Sequence, residues 1–117
     1  MSDVFLVIDD NEEYLELVKD YCLKQKFRGE IKYFEDALEA MNYIDHNKKT
    51  INTVFTDYNM KAKGMSGKII VEKCKESKVP VVIVSSETRN LAEANDCLVI
   101  DKTSSLSWIM RILKGER

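Results

Sequence analysis

The sequence predicts a single α/β domain in which helices cover both faces of a parallel sheet. Short apolar runs alternate with amphipathic stretches from one end of the chain to the other. The first run is apolar throughout, which is typical of a strand that is buried on both faces. The length of 117 residues is that of one ordinary domain and is long enough for one hydrophobic core.

The elements of the first half follow from the spacing of its apolar residues. Residues 4–8 are apolar and mostly β-branched, and they predict the first strand. Apolar residues recur at helical spacing over residues 11–26 and again over residues 37–47. Short segments rich in β-branched and aromatic residues at 31–34 and 53–56 predict the second and third strands.

The second half repeats this alternation. A helix is predicted from Ser66, a suitable N-cap, to about Ser77. Pro80 opens the strand at residues 81–84, which suits a proline at the first position of a strand. The remaining predicted elements are a short helix over residues 87–94, a strand at residues 98–100 and a last helix over residues 106–113, capped near Ser104 or Ser105.

Strands that alternate with helices predict right-handed crossovers and hence a parallel sheet. We expect the flavodoxin-like (βα)5 fold with strand order 2-1-3-4-5, as one domain over residues 1–117 without an output domain. Ligands of such sheets bind outside the carboxyl ends of the strands, at the switch point between strands 1 and 3. Asp9 and Asp10 follow the first strand and Asp57 follows the third, so these side chains should be neighbours.

Composition argues against several other classes of protein. Hydrophobic residues make up 44% of the chain and charged residues 32%, as in soluble globular proteins. No apolar run is long enough to cross a membrane and the N-terminus does not resemble a signal peptide, so we expect a cytoplasmic protein without membrane contact. Basic residues are scattered and the net charge is −2, so no nucleic-acid partner is expected. The three cysteines are widely spaced, which favours buried reduced thiols over a disulfide or a zinc site.

The three acidic residues at the strand ends form a candidate metal site. Clustered carboxylates repel one another and cost free energy to desolvate, and a divalent cation offsets both effects. Mg²⁺ prefers oxygen ligands together with water and phosphate oxygens. We therefore expect Mg²⁺ at Asp9, Asp10 and Asp57, with the carbonyl of Asn59 as a further ligand. The Asp-Asp pair alone is equally consistent with a helix cap, but Asp57 at the neighbouring strand end favours the metal site.

Two further polar side chains follow strands at the same edge. Ser85 comes directly after the fourth strand and Lys102 comes two residues after the fifth. A phosphoryl group on Asp57 needs both kinds of partner, because a lysine neutralises phosphate oxygens and a hydroxyl donates a hydrogen bond. Phosphoryl transfer depends mainly on positioning and charge neutralisation. Taken singly, Ser85 is consistent with a turn residue and Lys102 with a solvated surface charge, but their combination with the acids indicates phosphoryl chemistry.

This combination resembles the receiver domains of two-component response regulators, and the resemblance covers essentially the whole chain. The residues that carry it are Asp9-Asp10, Asp57 in Phe55-Thr56-Asp57-Tyr58-Asn59-Met60, Ser85 and Lys102. It implies that Asp57 takes a phosphoryl group from a phosphohistidine on a sensor histidine kinase or phosphotransfer protein, with Mg²⁺ held by the acidic pair and the Asn59 carbonyl. It also implies a cytoplasmic signalling phosphoprotein that switches conformation and is not an enzyme beyond its own phosphorylation and dephosphorylation.

The resemblance also bears on how long the phosphoryl group persists. The residues two past the acceptor and two past the hydroxyl are Asn59 and Glu87, and this pair resembles that of chemotaxis-type receivers. In those receivers, polar side chains at the two positions guide the attacking water. We therefore expect a fairly short-lived phosphoryl-Asp57.

The chain departs from the family pattern in four places. Val99 stands where an aromatic switch residue is expected, and Thr103 replaces a proline that normally follows a cis bond. A cis bond before threonine would cost roughly 3 kcal/mol, so the loop is either strained or runs differently. The stretch from Ser85 to Lys102 is short, and the loop over residues 61–65 lacks the usual proline. The downstream partner is therefore not inherited from typical members.

Other functions fit the sequence less well. The runner-up is a pseudo-receiver, a protein-interaction module with this fold that does not depend on phosphorylation. An aspartate-nucleophile phosphatase would carry Asp-x-Asp after its first strand, whereas this chain has the adjacent pair Asp9-Asp10. A flavin-binding flavodoxin would need a Ser/Thr/Gly-rich phosphate loop there, and none is present.

Overall fold

The protein forms a parallel sheet whose strand order is the predicted one. The structure is a computed structural model that describes residues 4–60, 67–86 and 96–115. The strands are β1 (Val4–Ile8), β2 (Glu30–Phe34), β3 (Ile51–Asp57), β4 (Val81–Ser85) and β5 (Leu98–Asp101). All neighbouring pairs are parallel and the order is β2-β1-β3-β4-β5. The flavodoxin-like fold and the 2-1-3-4-5 order are therefore confirmed.

Helices cover both faces of this sheet. Within the described residues they are α1 (Glu12–Lys24), α2 (Ala37–Asn47), α3 (Gly67–Glu76) and α4 (Ser105–Leu113), with a 3-10 helix at Lys102–Ser104 before α4. Alternate residues of β1 point to opposite faces, so Phe5 and Val7 pack with α1 and α4, whereas Leu6 and Ile8 pack with α2 and α3. The predicted helix over residues 87–94 and the N-cap at Ser66 lie outside the described residues.

The first turn of α1 is fixed by its cap. The side chain of Asn11 accepts a hydrogen bond from the backbone N–H of Tyr14 at 3.2 Å, and Glu12 and Glu13 complement the positive end of the helix dipole. The helix ends at Lys24, two residues before the predicted end, and Lys26 takes a left-handed conformation with φ of 57°. The Asn11 cap holds the backbone of Tyr14 in the first turn of α1, which follows the carboxyl end of β1.

The N-cap of α4 is a serine, as predicted, but its side chain does not cap the helix. Ser104 occupies the N-cap position, but its side chain makes no capping hydrogen bond. The carboxylate of Asp101 instead accepts hydrogen bonds from the backbone N–H of Thr103 at 2.9 Å and from its hydroxyl at 2.8 Å. The described peptide bonds include no cis bond, so the Lys102–Thr103 bond is trans and this acidic turn starts the 3-10 helix.

The cysteines partly match the prediction. All three are free thiols; Cys22 and Cys74 are buried, whereas Cys97 is partly exposed. None of the helices in residues 4–60, 67–86 and 96–115 is long and apolar enough to cross a membrane.

Candidate functional site

Strand register brings the predicted site residues together at the carboxyl ends of the strands. Ile8 pairs with Thr56, so that Asp9 follows β1 beside Asp57 at the end of β3. Asp57 in turn pairs with Val84, the residue before Ser85. Ser85 pairs with Asp101, and Lys102 follows directly. The acids, the hydroxyl and the lysine therefore all lie where the carboxyl ends of adjacent strands meet.

The three predicted acids form a carboxylate cluster. Each of Asp9, Asp10 and Asp57 offers one carboxylate oxygen, and these oxygens lie within 4.8 Å of one another. Asp9 is 1% exposed and Asp57 is 8% exposed, whereas Asp10 is half-buried. Burial raises the pKa of Asp57, the charges of Asp9 and Asp10 raise it further, and the ammonium of Lys102 opposes them. At Asp57, burial and the neighbouring acids thus outweigh the ammonium of Lys102.

Lys102 is the cation nearest to this cluster among the described residues. Its Nζ atom lies 2.7 Å from Oδ2 of Asp9 and 4.0 Å from Oδ2 of Asp57. Oδ2 of Asp9 is buried without a well-angled hydrogen bond, so its contact with Lys102 is an ion pair and not an aligned hydrogen bond. The other oxygen of Asp9 accepts the backbone N–H of Asn11 at 2.9 Å. Each oxygen of Asp9 therefore has a partner, the N–H of Asn11 for one and the ammonium of Lys102 for the other.

A cleft of about 470 Å³ opens above these groups. It is lined by Asp10, Asn11, Asp57, Asn59, Ser86 and Lys102. The donor set fits Mg²⁺, because it consists of three carboxylates and includes a buried carboxylate oxygen without an aligned hydrogen bond. Asn59 is exposed on the cleft wall, as a ligand or water-guiding residue would need to be.

The hydroxyls at the end of β4 sit differently. Ser85 is the last residue of the strand and is 1% exposed. Its neighbour Ser86, which the sequence analysis did not single out, is exposed and lines the cleft. Glu87, the predicted partner of Asn59 in setting the phosphoryl lifetime, lies outside the described residues.

Tyr14 and Ser105 contact Lys102, and neither was predicted as part of the site. The ammonium of Lys102 lies 4.6 Å from the centroid of the Tyr14 ring. The Tyr14 hydroxyl is 2.5 Å from Oγ of Ser105, which donates to the carbonyl of Lys102 at 2.9 Å. Burial raises the pKa of Tyr14 to about 12 against the lowering effect of this hydrogen bond, so the hydroxyl keeps its proton at neutral pH. The sequence held one signal for this group: Tyr14 is a polar aromatic residue on the buried face of α1, four residues after the acidic pair.

Gly67 lets the first turn of α3 approach the end of β3. Its N–H donates to the carbonyl of Tyr58 at 2.7 Å. A Cβ atom at this position would lie 2.0 Å from the carbonyl oxygen of Asp57 and 2.6 Å from Cα of Tyr58. Only glycine leaves room for this approach, so Gly67 helps to hold the Asp57 backbone in place.

Sequence comparison agrees with this geometry. Residues 5–107 match the response regulator receiver domain family. The chain therefore belongs to the receiver domains of response regulators, which act in two-component signalling. A comparison with curated proteins finds no match.

Solved structures of similar fold include both natural and designed proteins. CheY in the CheX–CheY–BeF3–Mg²⁺ complex from Borrelia burgdorferi shares 17% identity over 96% of this chain and 87% of its own, with a TM-score of 0.77. A DNA-binding response regulator of the LuxR family from Staphylococcus aureus shares 21% identity over 97% of both chains, with a TM-score of 0.72. A de novo designed Rossmann 2x3 protein shares 17% identity over 98% of this chain and 91% of its own, with a TM-score of 0.77. Because a designed protein scores as well as CheY, these likenesses concern the fold alone.

Proposed function

We propose that this receiver domain is a phosphorylation switch in which Asp57 accepts a phosphoryl group from a phosphohistidine. The observation that carries the proposal is the position of Asp57 at the carboxyl end of the central strand β3. Its carboxylate belongs to a cluster with Asp9 and Asp10, and the ammonium of Lys102 lies 4.0 Å away. A nucleophilic carboxylate, a cluster of oxygen ligands and a nearby cation are the parts that phosphoryl transfer needs.

An oxygen of the ionised Asp57 carboxylate forms a bond to phosphorus while the phosphorus–nitrogen bond of the donor breaks. The imidazole leaves with the bonding electrons and is reprotonated from solvent. Lys102 pairs with the phosphoryl oxygens as their charge approaches Asp57, and the hydroxyls of Ser85 and Ser86 are the candidate hydrogen-bond donors. Receiver domains act in this way as phosphoryl acceptors, and they do not turn over separate substrates.

Mg²⁺ is the metal that the cluster fits. Asp9, Asp10 and Asp57 would hold the ion through carboxylate oxygens, and the carbonyl of Asn59 is proposed as a further ligand. When bound, Mg²⁺ neutralises the charge that accumulates between the carboxylates and the incoming phosphoryl oxygens. The proposal draws support from CheY of Borrelia burgdorferi, whose complex holds Mg²⁺ and BeF3.

The proposed phosphoryl donor is a sensor histidine kinase or a phosphotransfer protein, in keeping with the family. The Staphylococcus aureus relative is described as DNA-binding, so fold similarity gives no support to the predicted lack of a nucleic-acid partner. That expectation rests on the scattered basic residues alone. A cytoplasmic location also stays a prediction.

The alternative of a phosphorylation-independent pseudo-receiver is not favoured. Such a module would have no need for the cluster of Asp9, Asp10 and Asp57, which costs folding free energy when no cation is bound. The departures at Val99 and Thr103 lie in the region that would report phosphorylation and not in the acceptor cluster itself.

The proposal is tested by incubating the protein with acetyl phosphate in the presence and absence of Mg²⁺ and measuring its intact mass. We expect the mass of one phosphoryl group to appear only with Mg²⁺ and to be absent from Asp57→Asn. The exposed Asp20→Asn serves as the matched control and should be modified like the wild type. No adduct in wild type, together with no measurable Mg²⁺ binding, would favour the pseudo-receiver.

A further inference from the structure

Tyr14 contacts Lys102 at both ends of that residue. The face of its ring lies 4.6 Å from the ammonium, and its hydroxyl reaches the main chain of Lys102 through Ser105. Tyr14 is 8% exposed and Ser105 is fully buried, so the hydrogen bonds between them are shielded from competition with water. The same tyrosine therefore touches the charge of Lys102 and fixes the backbone that carries it.

The direction of the hydrogen bonds follows from the number of protons available. A serine hydroxyl has one proton, and that of Ser105 is donated to the carbonyl of Lys102 at 2.9 Å. The Tyr14 hydroxyl must then be the donor in its 2.5 Å contact with Oγ of Ser105. The result is a one-way chain from Tyr14 through Ser105 to Lys102, and no other proton on Ser105 could replace the one that Tyr14 supplies.

Tyr14 is also fixed to the acidic side of the site. Its backbone N–H donates to the side chain of Asn11 at 3.2 Å, and the N–H of Asn11 donates to Asp9 at 2.9 Å. The ammonium of Lys102 lies 2.7 Å from the other oxygen of Asp9. These contacts close a ring that runs from Asp9 through Asn11, Tyr14 and Lys102 back to Asp9. A shift of the ammonium therefore changes its contact with the Tyr14 ring.

We propose that Tyr14 is the positioning residue for Lys102, and that it links movement of the ammonium between Asp9 and Asp57 to the first turn of α4. The inference rests on the proposed acceptor role of Asp57. A phosphoryl group there would draw the ammonium away from Asp9, across the face of the Tyr14 ring. The hydroxyl of Tyr14 is bonded to Ser105, the first residue of α4, so the start of that helix would respond.

Val99, which stands where the family has an aromatic switch residue, cannot make such a link itself. Val99 lies on β5, is partly exposed and pairs with Ile83 of β4. An aliphatic side chain has neither a ring that a cation can stack on nor a hydroxyl that can exchange hydrogen-bond partners. Among the described residues near Lys102, Tyr14 provides both the ring and the hydroxyl.

Three variants separate the two contacts. Tyr14→Phe keeps the ring and removes the hydroxyl, whereas Tyr14→Leu removes both. Tyr33→Phe is the matched control, because Tyr33 is partly buried, hydrogen-bonded to Cys22 and has the ammonium of Lys19 at 5.1 Å from its ring, but lies on β2 away from the site. Thermal melting of each variant establishes that it is folded before any other measurement.

The first readout is the NMR signal of the Lys102 ε-methylene group without any ligand. A methylene group near the face of an aromatic ring resonates upfield of exposed lysines. We expect this upfield shift in wild type, Tyr14→Phe and Tyr33→Phe, and its loss in Tyr14→Leu. An unshifted Lys102 signal in wild type, or one that Tyr14→Leu leaves unchanged, would overturn the positioning role whether or not Asp57 is phosphorylated.

The second readout is the amide signal of Ser105 when beryllofluoride and Mg²⁺ are added. We expect it to move in wild type and Tyr33→Phe and to move much less in Tyr14→Phe. The maximal rate of phosphorylation by acetyl phosphate should fall by about threefold to tenfold in Tyr14→Phe, with the half-saturating donor concentration unchanged. An equal Ser105 response in Tyr14→Phe would overturn the link to α4. A wild type that takes neither beryllofluoride nor phosphate would overturn both the proposed function and this link, while the first readout would still decide the contact with Lys102.

Discussion

The ammonium of Lys102 lies 2.7 Å from a carboxylate oxygen of Asp9, a side chain that is almost completely buried. Two unit charges 4 Å apart near a protein surface interact by about 4 kcal/mol, so the ion pair offsets much of the cost of burying this acid. The same ammonium occupies the side of the cluster that faces Asp57. Lys102 is therefore the cation already paired with the cluster, and we expect it to compete with Mg²⁺ for the carboxylates.

This competition predicts opposite effects of Lys102→Ala on binding and on chemistry. Mg²⁺ should bind about tenfold more tightly, because removing a cation from the cluster is worth on the order of 1 kcal/mol or more. Phosphorylation by acetyl phosphate should nevertheless become slower, because the phosphoryl oxygens lose their counter-charge. Calorimetric Mg²⁺ titration and the rate of adduct formation measure the two effects.

Lys19→Ala is the matched control for that experiment. Lys19 lies on α1 and makes an exposed ion pair with Glu16 at 3.6 Å, so its removal changes the net charge equally without touching the cluster. Both Mg²⁺ affinity and rate should stay close to wild type. Weaker Mg²⁺ binding in Lys102→Ala would contradict the assignment of Lys102 as a competing cation.

Asp57 should make the metal-free protein less stable as pH rises. Its folded pKa is raised above the ordinary value of 3.8 by burial and by the charge of Asp9. Its contribution to stability is therefore complete below the unfolded pKa and is lost as pH rises through the higher folded pKa. In chelator, Asp57→Asn should melt a few degrees above wild type at neutral pH, and the difference should shrink at acidic pH.

Adding Mg²⁺ should raise the melting temperature of wild type relative to that of Asp57→Asn. A ligand that binds only the folded state raises its stability, and the cluster without Asp57 has lost one ligand. Wild type should therefore gain more in melting temperature from Mg²⁺ than Asp57→Asn does. Equal gains in the two proteins would show that Mg²⁺ binds elsewhere.

Gly67→Ala should damage the acceptor without removing any chemical group. The new Cβ would lie 2.0 Å from the carbonyl oxygen of Asp57, so the end of β3 or the start of α3 must move. We expect a loss of about 1–3 kcal/mol in the free energy of unfolding together with slower phosphorylation. Chemical denaturation and adduct formation measure these quantities.

Gly29→Ala separates loss of stability from loss of function. The three atoms nearest to a Cβ at Gly29 all belong to the ring of Phe27, and Gly29 precedes β2 at the amino end of the strand. This variant should also be destabilised, but it should be phosphorylated at the wild-type rate under folding conditions. A rate loss as large as that of Gly67→Ala would mean that the effect follows from stability alone.

The phosphorylated form should be short-lived, with Asn59 contributing to its loss. Asn59 is exposed on the wall of the cleft, where its amide can orient a water toward the phosphoryl group. Asn59→Ala and Glu87→Ala should each lengthen the lifetime several-fold, whereas Asn42→Ala on α2 should not. Loss of the adduct mass over time measures the lifetime, and a wild-type adduct that persists for many hours would contradict the prediction.

The sheet and the acidic cluster were predictable because both depend on short-range signals. Five short runs rich in apolar residues predicted the strands. Once the strand order was assumed, the residue after each run could be placed at the carboxyl end of the sheet. Asp9 and Asp57 met as predicted because Ile8 pairs with Thr56. The strand order itself came partly from the family resemblance, since alternation alone fixes only a parallel sheet.

The contacts that support Lys102 were not predictable in the same way. Tyr14 and Ser105 are 91 positions apart, and each alone fits an ordinary pattern: a residue beside an apolar stripe and a possible helix cap. The predicted N-cap position at Ser104 is confirmed, but the capping hydrogen bonds are accepted by Asp101 one turn earlier, where they start the 3-10 helix, and Ser105 bonds with Lys102. Only packing of α1 against α4 brings these side chains together.

The most direct measurement of the central claim is to locate the phosphoryl group on the chain. Borohydride reduces a phosphoryl-aspartate to homoserine, which leaves a permanent mass difference at the modified residue. After treatment with acetyl phosphate and Mg²⁺, peptide mass analysis should find homoserine at Asp57 and at no other aspartate. Homoserine at Asp9 or Asp10, or its absence from a protein that binds Mg²⁺, would contradict the assignment of Asp57 as the acceptor.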